Sequence, residues 1–185
     1  YDSLLRFIHL LTCEGGLHIS QRNLTVSTCG IVPNMRRLAD EKLQITLALS
    51  LHASSQEKRK TLMPVANKYA LDDVLDACRY YFEQTGRRIT FEYSLVGGVN
   101  DSAEDARELA ALVHDINCHI NLIPVNPIKE RDYVQSDNSA IQSFKNKLEK
   151  SGINVTIRRE MGRDIDGACG QLRKSYMDTE KERGE

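Results

Sequence analysis

The residue with the most chemical potential is Cys169, at the centre of Asp164-Ile165-Asp166-Gly167-Ala168-Cys169-Gly170-Gln171-Leu172. Its small neighbours Gly167, Ala168 and Gly170 leave the sulfur unshielded, and two carboxylates upstream make the surroundings polar. Both features suit a reactive thiol. The competing reading is a buried thiol beside a glycine turn, since free cysteine is among the most buried residue types. A second set of polar groups follows strand-like segments: Ser27-Thr28, Ser50-Leu51-His52, Gly97-Gly98-Asn100 and Pro124-Val125-Asn126. Together they offer hydroxyl, imidazole and amide groups able to bind ribose hydroxyls, an adenine edge or an amino-acid carboxylate. His52 could serve as a proton donor or metal ligand, but no second ligand stands at a suitable local spacing. For Ser27 and Ser50 the bland alternative is a strand-end cap. Glu92 interrupts the otherwise apolar run Ile89-Thr90-Phe91-Glu92-Tyr93, so its charge must be paired or face a cavity. Cys78 and Cys118 read as buried and inert, and His9, His18, His114 and His119 share no motif.

The elements that must position these residues alternate between the two periodicities. Helices are expected over 2–12, with Leu4, Leu5, Ile8 and Leu11 on one face, over 33–40 behind Pro33, and after Leu71 as far as Gly86. Asp72 and Asp73 suit the positive end of that third helix. Further helices are expected over 103–115, capped by Asp101 or Ser102, and over 139–150. Strands are expected at Leu24–Ser27, Ile45–Leu49, Arg88–Leu95, His119–Ile123 and Asn154–Arg158. Residues 128–138 read as a mobile polar loop, and the charged tail from Thr179 as frayed. Strand–helix–strand alternation without a repeat or linker specifies a single α/β domain over 1–185, built on a parallel sheet with right-handed crossovers. A complete eight-unit barrel takes about 250 residues, so a partial (β/α) barrel fits the length. In such folds the strand exits carry the chemistry, which would gather the four polar sets at one mouth.

Composition narrows the classes. The net charge of −1 does not announce a nucleic-acid binder, although Lys58-Arg59-Lys60, Arg87-Arg88 and Arg158-Arg159 are local basic clusters. Each is either a solvated face or a phosphate contact. The cysteines stand at 13, 29, 78, 118 and 169, no two closer than sixteen positions, which excludes a local cysteine-rich metal loop. Unpaired cysteines without a signal-peptide pattern point to a reducing, cytoplasmic location. No stretch reaches the roughly 18 apolar residues of a membrane helix.

Ser50-Leu51-His52-Ala53, Asn121-Leu122-Ile123-Pro124-Val125-Asn126-Pro127 and the Cys169 run occur here in that order. Together they resemble the C-terminal part of the radical S-adenosylmethionine (SAM) RNA methyltransferases of the RlmN/Cfr family, from Tyr1 to about Arg173. Either motif alone would be weak, while the combination is specific. The resemblance implies a partial barrel of the radical SAM type, truncated at its N-terminus. It also implies a SAM site using Ser27, Ser50, Leu51, His52 and Asn126, and a methyl-carrying catalytic Cys169. A [4Fe–4S] cluster is implied as well, on a CxxxCxxC loop that this chain does not contain. Cys29 stands where relatives often carry serine, and reads as a packing residue.

The chemistry the family implies is methylation of adenine C2 in large-subunit rRNA and some tRNAs. In it, the cysteine matching Cys169 is methylated first and then delivers the carbon by a radical step. An electron donor such as flavodoxin is implied as a partner, and no metal ligand falls on this chain. Adenine C2 is too poor a nucleophile for ordinary methyl transfer, which is why radical chemistry is needed. The chain thus reads as a fragment of a longer enzyme, inactive without its cluster region. The alternatives are methylation at adenine C8, a fragment that binds SAM or RNA without chemistry, and a cysteine-nucleophile enzyme on a barrel.

Overall fold

A computed structural model describes residues 1–125 and 133–158. The elements run α1 (Asp2–Thr12), β1 (Thr25–Thr28), α2 (Val32–Asp40), β2 (Thr46–Ser50), α3 (Gln56–Leu62), α4 (Leu71–Thr85), β3 (Ile89–Leu95), α5 (Ala103–Val113), β4 (Cys118–Pro124), α6 (Asn138–Lys150) and β5 (Asn154–Ile157). The five strands form one sheet in the order β1-β2-β3-β4-β5, and every neighbouring pair is parallel. Consecutive order is what distinguishes a barrel-type sheet from a doubly wound one. If each crossover is right-handed, all the helices fall on the same face. The expected α/β partial-barrel architecture is therefore the one observed.

The core agrees with that geometry. Leu47, Leu49 and Leu51 from β2 and its exit, Ile89, Phe91, Tyr93 and Leu95 from β3, and Ile120 and Leu122 from β4 join Met35, Leu38, Val74, Leu75, Tyr81, Leu109, Phe144 and Leu148 from the helices in one buried cluster. Each large apolar side chain so buried contributes about 1.5–3 kcal/mol. The clearest alternation is in β3. In β3 the helix-facing residues are fully buried, whereas Thr90, Glu92 and Ser94 on the other face are only half-buried. That second face carries Ser27, Ser50, Glu92, Asn121 and Thr156, polar in every strand. A side-chain period of two makes this division unavoidable once one face is committed to the helices.

Local signals set the boundaries. Gly86 stops α4 at φ +66°, a left-handed cap that glycine adopts without penalty. Ser102, rather than Asp101, caps α5: its hydroxyl accepts from the Asp105 amide while the Asp105 carboxylate accepts from the Ser102 amide. Asp101 instead accepts from the Gly98 amide and the Ser136 hydroxyl. α3 is an element the hydrophobic pattern does not announce. Its sequence Gln-Glu-Lys-Arg-Lys-Thr-Leu is almost wholly polar, and Ser55 starts it by accepting from the Lys58 amide. The loop expected over 128–138 is described only from residue 133, and the tail from Thr179 lies outside the described residues. No described helix is long and apolar enough to cross a membrane.

Candidate functional site

Because all strands are parallel, their C-terminal ends share one edge, and four candidates stand there or just below it. Ser27 and Ser50 lie on the half-buried face of β1 and β2, two neighbouring strands. Ser27 is exposed and opposite Ala48, two residues before Ser50. Ser50 pairs in register with Glu92, and Glu92 with Asn121, which in turn pairs with Thr156. The Ser50 hydroxyl donates to Glu92 Oε2 at 3.4 Å and the Thr156 hydroxyl to Asn121 Oδ1 at 3.2 Å. Thr156 Oγ1 also lies 2.9 Å from Nε2 of His119. A polar row therefore crosses the sheet at the level of Ser50. Among the described residues Glu92 forms no ion pair, and its carboxylate accepts from the Ser50 hydroxyl.

His52 is held tightly. It adopts φ +59°, a left-handed conformation that costs a non-glycine residue about 1–2 kcal/mol. Three interactions offset that cost. Its amide and that of Leu51 both donate to the Glu92 carbonyl, at 3.2 and 3.0 Å. Its Nδ1 accepts from the Ser94 amide at 3.0 Å. Its own carbonyl accepts from Asn100 Nδ2 at 2.8 Å. Since Nδ1 accepts from a main-chain N–H, the neutral ring carries its proton on Nε2. Burial, with a smaller push from the Arg59 guanidinium, brings the imidazole pKa down to about 4. His52 is thus a neutral hydrogen-bond donor at neutral pH, and a poor proton donor in the acid–base sense.

Leu51 belongs to the same run, but its side chain is fully buried in the helix-facing core, and its amide is already used. Asn100, one of the rim groups the sequence offers, is also absorbed by the fold. It is fully buried, donates to the carbonyls of His52 and Ser94, and accepts from the Val96 amide at 2.8 Å.

The basic cluster Lys58-Arg59-Lys60 divides. Arg59 is 0% exposed, so it is neither a solvated face nor a phosphate contact. Its Nη2 donates to the Cys29 carbonyl at 2.8 Å, while Nε and Nη1 have no partner among the described residues. Gly30, at φ +99°, leaves room for it: a Cβ there would stand 3.0 Å from Nη2. Lys58 pairs with the buried Asp105 at 2.6 Å, and Ser54 donates to the same carboxylate at 3.1 Å. Arg87 donates to the Ile45 carbonyl and to Thr46, and so braces the start of β2. Hydrophobic patterning misses these inward-facing cations because it treats every arginine and lysine as surface.

Cys78 and Cys118 are buried, as their apolar settings suggest. Burial pushes their thiols up to about 12 and about 11. Among the described residues no group of three or more His, Cys, Asp or Glu is placed to hold a metal ion. Asn126 and Cys169 lie outside the described residues.

Comparison with known proteins places this geometry in context. No family model matches the chain. A protein of Lachnospira eligens named probable dual-specificity RNA methyltransferase RlmN is 69% identical over 178 residues, which is 96% of this chain and 51% of that protein. The protein of the same name from Lachnoclostridium phytofermentans is 65% identical, covering 96% and 50%. That from Clostridium botulinum is 57% identical over 185 residues, covering the whole chain and 53% of its own length.

Among solved structures, a radical SAM methyltransferase from Sphaerobacter thermophilus superposes with a TM-score of 0.88 at 43% identity, covering 92% of this chain and 50% of that one. A domain of pyruvate-formate lyase-activating enzyme from Bacteroides vulgatus shares the fold at a TM-score of 0.56 and 19% identity, covering 73% and 80%. This chain spans about half the length of the curated relatives it matches. By sequence and by fold, the chain belongs to the RlmN family of radical SAM proteins, as a part corresponding to about half of a member.

Proposed function

We propose that the protein of which this chain is part is an RNA methyltransferase that uses SAM and a [4Fe–4S] cluster to methylate adenine C2 in ribosomal and transfer RNA. The observation that carries this reading is the grouping of Ser27, Ser50 and His52 at the exits of two adjacent parallel strands, within a chain 69% identical to an RNA methyltransferase. These residues fit a nucleoside carrying an amino-acid arm. The two hydroxyls and the Nε2–H of a neutral imidazole can meet ribose oxygens, ring nitrogens or a carboxylate. Asn126 would complete the set from the exit of β4. Among the described residues no cysteine group could hold the cluster, and this reading assigns its ligands to the remainder of the full-length protein.

When bound, SAM beside the cluster supplies both the methyl group and the radical that activates it. What this chain contributes is binding and orientation. Ser27, Ser50 and His52 hold the nucleoside, and the depressed pKa of His52 keeps its imidazole uncharged beside it. Cys169 is assigned as the methyl carrier. Its small neighbours allow the close approach that transfer to a ring carbon needs. Methylation of adenine C8, by the same residues, remains the alternative product.

The test is methylation of ribosomal RNA by the full-length protein and its Cys169→Ala variant, with the modified nucleoside identified by mass spectrometry. Product at adenine C2 that disappears in the variant supports the reading. Undiminished methylation by the variant refutes the role of Cys169, and product at C8 corrects the position.

A further inference from the structure

The Asn100 side chain uses both its donor and its acceptor atoms at the strand exits. It is 0% exposed. Nδ2 donates to the His52 carbonyl at 2.8 Å and to the Ser94 carbonyl at 2.7 Å, while Oδ1 accepts from the Val96 amide at 2.8 Å. Its own carbonyl accepts from the Tyr93 hydroxyl at 2.9 Å. One side chain thus joins the exit of β2 to the exit of β3, and it does so at the two residues that also meet through a ring: the Ser94 amide donates to Nδ1 of His52 at 3.0 Å. Both links depend on Asn100 having two amide protons. Aspartate has the same shape but no donor, and would set a carboxylate against two carbonyls.

We propose that Asn100 is a positioning residue for the SAM site: by fixing the His52 carbonyl and the Ser94 strand end together, it locks the His52 ring in the tautomer protonated at Nε2 and so presents a permanent donor to the ligand. This deepens the reading that His52 belongs to the SAM site and rests on it. No described residue accepts from Nε2, so the donor is left for the ligand. The match is an acceptor on the bound nucleoside or its amino-acid arm, such as a purine ring nitrogen or a carboxylate oxygen. Without the clamp, His52 would be free to leave its left-handed conformation, the Ser94 contact would open, and the ring would sample both tautomers.

The experiment uses the full-length protein with ¹⁵N-labelled histidine, in wild-type and Asn100→Asp forms, with SAM affinity measured by calorimetry. In the wild type, without ligand, the His52 nitrogens report a single neutral tautomer with the proton on Nε2. In Asn100→Asp that signal moves to averaged values and SAM binds about tenfold more weakly. An unaltered tautomer in the variant overturns the proposal even if affinity falls, because a merely structural role would behave that way. If the variant fails to fold, the wild-type spectrum still decides, since a ring protonated at Nδ1 or exchanging between tautomers contradicts the lock. Wild-type protein that binds no SAM would defeat the functional reading instead, while the ligand-free tautomer measurement would still judge the clamp.

Discussion

The Ser94 amide donates to Nδ1 of His52 across 3.0 Å, tying an imidazole just beyond β2 to the main chain of β3. A side chain bound to a neighbouring strand inherits that strand's rigidity. It also loses its freedom to titrate, because a protonated Nδ1 would turn the contact into two donors facing each other.

That loss has a pH signature. His52 has its folded pKa lowered from 6.5 to about 4, so the unfolded state binds more protons between those values. Its contribution therefore destabilises as pH falls from about 6.5 towards 4 and vanishes above 6.5. The full difference is about 3 kcal/mol. Urea titrations of the full-length protein across this range should show a stability loss that the His52→Gln variant reduces. An identical pH profile in the variant would mean that His52 titrates normally.

Lys58 and Asp105 form the other consequential pair. Burial alone would raise the Asp105 carboxyl, but hydrogen bonds from Lys58, Ser102 and Ser54 outweigh it and hold the group below its usual range. The stability this gives is present above the ordinary carboxylate pKa and is lost as pH falls through the depressed value. Lys58→Met should cost about 1–3 kcal/mol near neutral pH, the low side of a buried pair because Lys58 is partly exposed. Chemical denaturation of the two proteins measures it directly.

Thiol reactivity should follow burial. Cys78 and Cys118, with their thiols raised by desolvation, should resist iodoacetamide in the folded protein and react once it is denatured. Of the four described cysteines, the partly exposed Cys13 and Cys29 should be labelled before Cys78 and Cys118. Peptide mass mapping after timed alkylation would show the order, and early labelling of Cys78 would contradict the packing of α4 on the sheet.

Ser50 and Glu92 should matter for binding more than for folding. Their contact is long, 3.4 Å, and lies on the face turned away from the helices. Ser50→Ala in the full-length protein should weaken SAM binding by about fivefold to tenfold, with little change in the unfolding midpoint. Calorimetry beside a denaturation curve separates the two, and an unchanged affinity would remove Ser50 from the site.

All five strands were legible to within a residue or two at each end, because helix-facing positions such as Leu47, Leu49, Phe91 and Ile120 leave a clear apolar record. α3 left none: its stability comes from the Ser55 cap and from Arg59 turned inward, and neither follows an apolar period. Glu92 reads as an interruption of an apolar run, whereas Ile89–Leu95 alternates buried and half-buried positions and Glu92 takes its place on the half-buried face with Thr90 and Ser94. Asn100 looked like a ligand group because an amide after Gly97-Gly98 reads as a loop tip. Its role as a clamp depends on how far apart the exits of β2 and β3 lie, which spacing along the chain does not encode. His52 was visible as a rim residue, while its fixed tautomer depends on a main-chain partner 42 positions away.

The most direct measurement is mass mapping of the peptide containing Cys169 in full-length protein purified anaerobically with its cluster intact and SAM supplied. A methyl group on Cys169 is the predicted result. A bare thiol under those conditions would contradict the assignment of Cys169 as the methyl carrier.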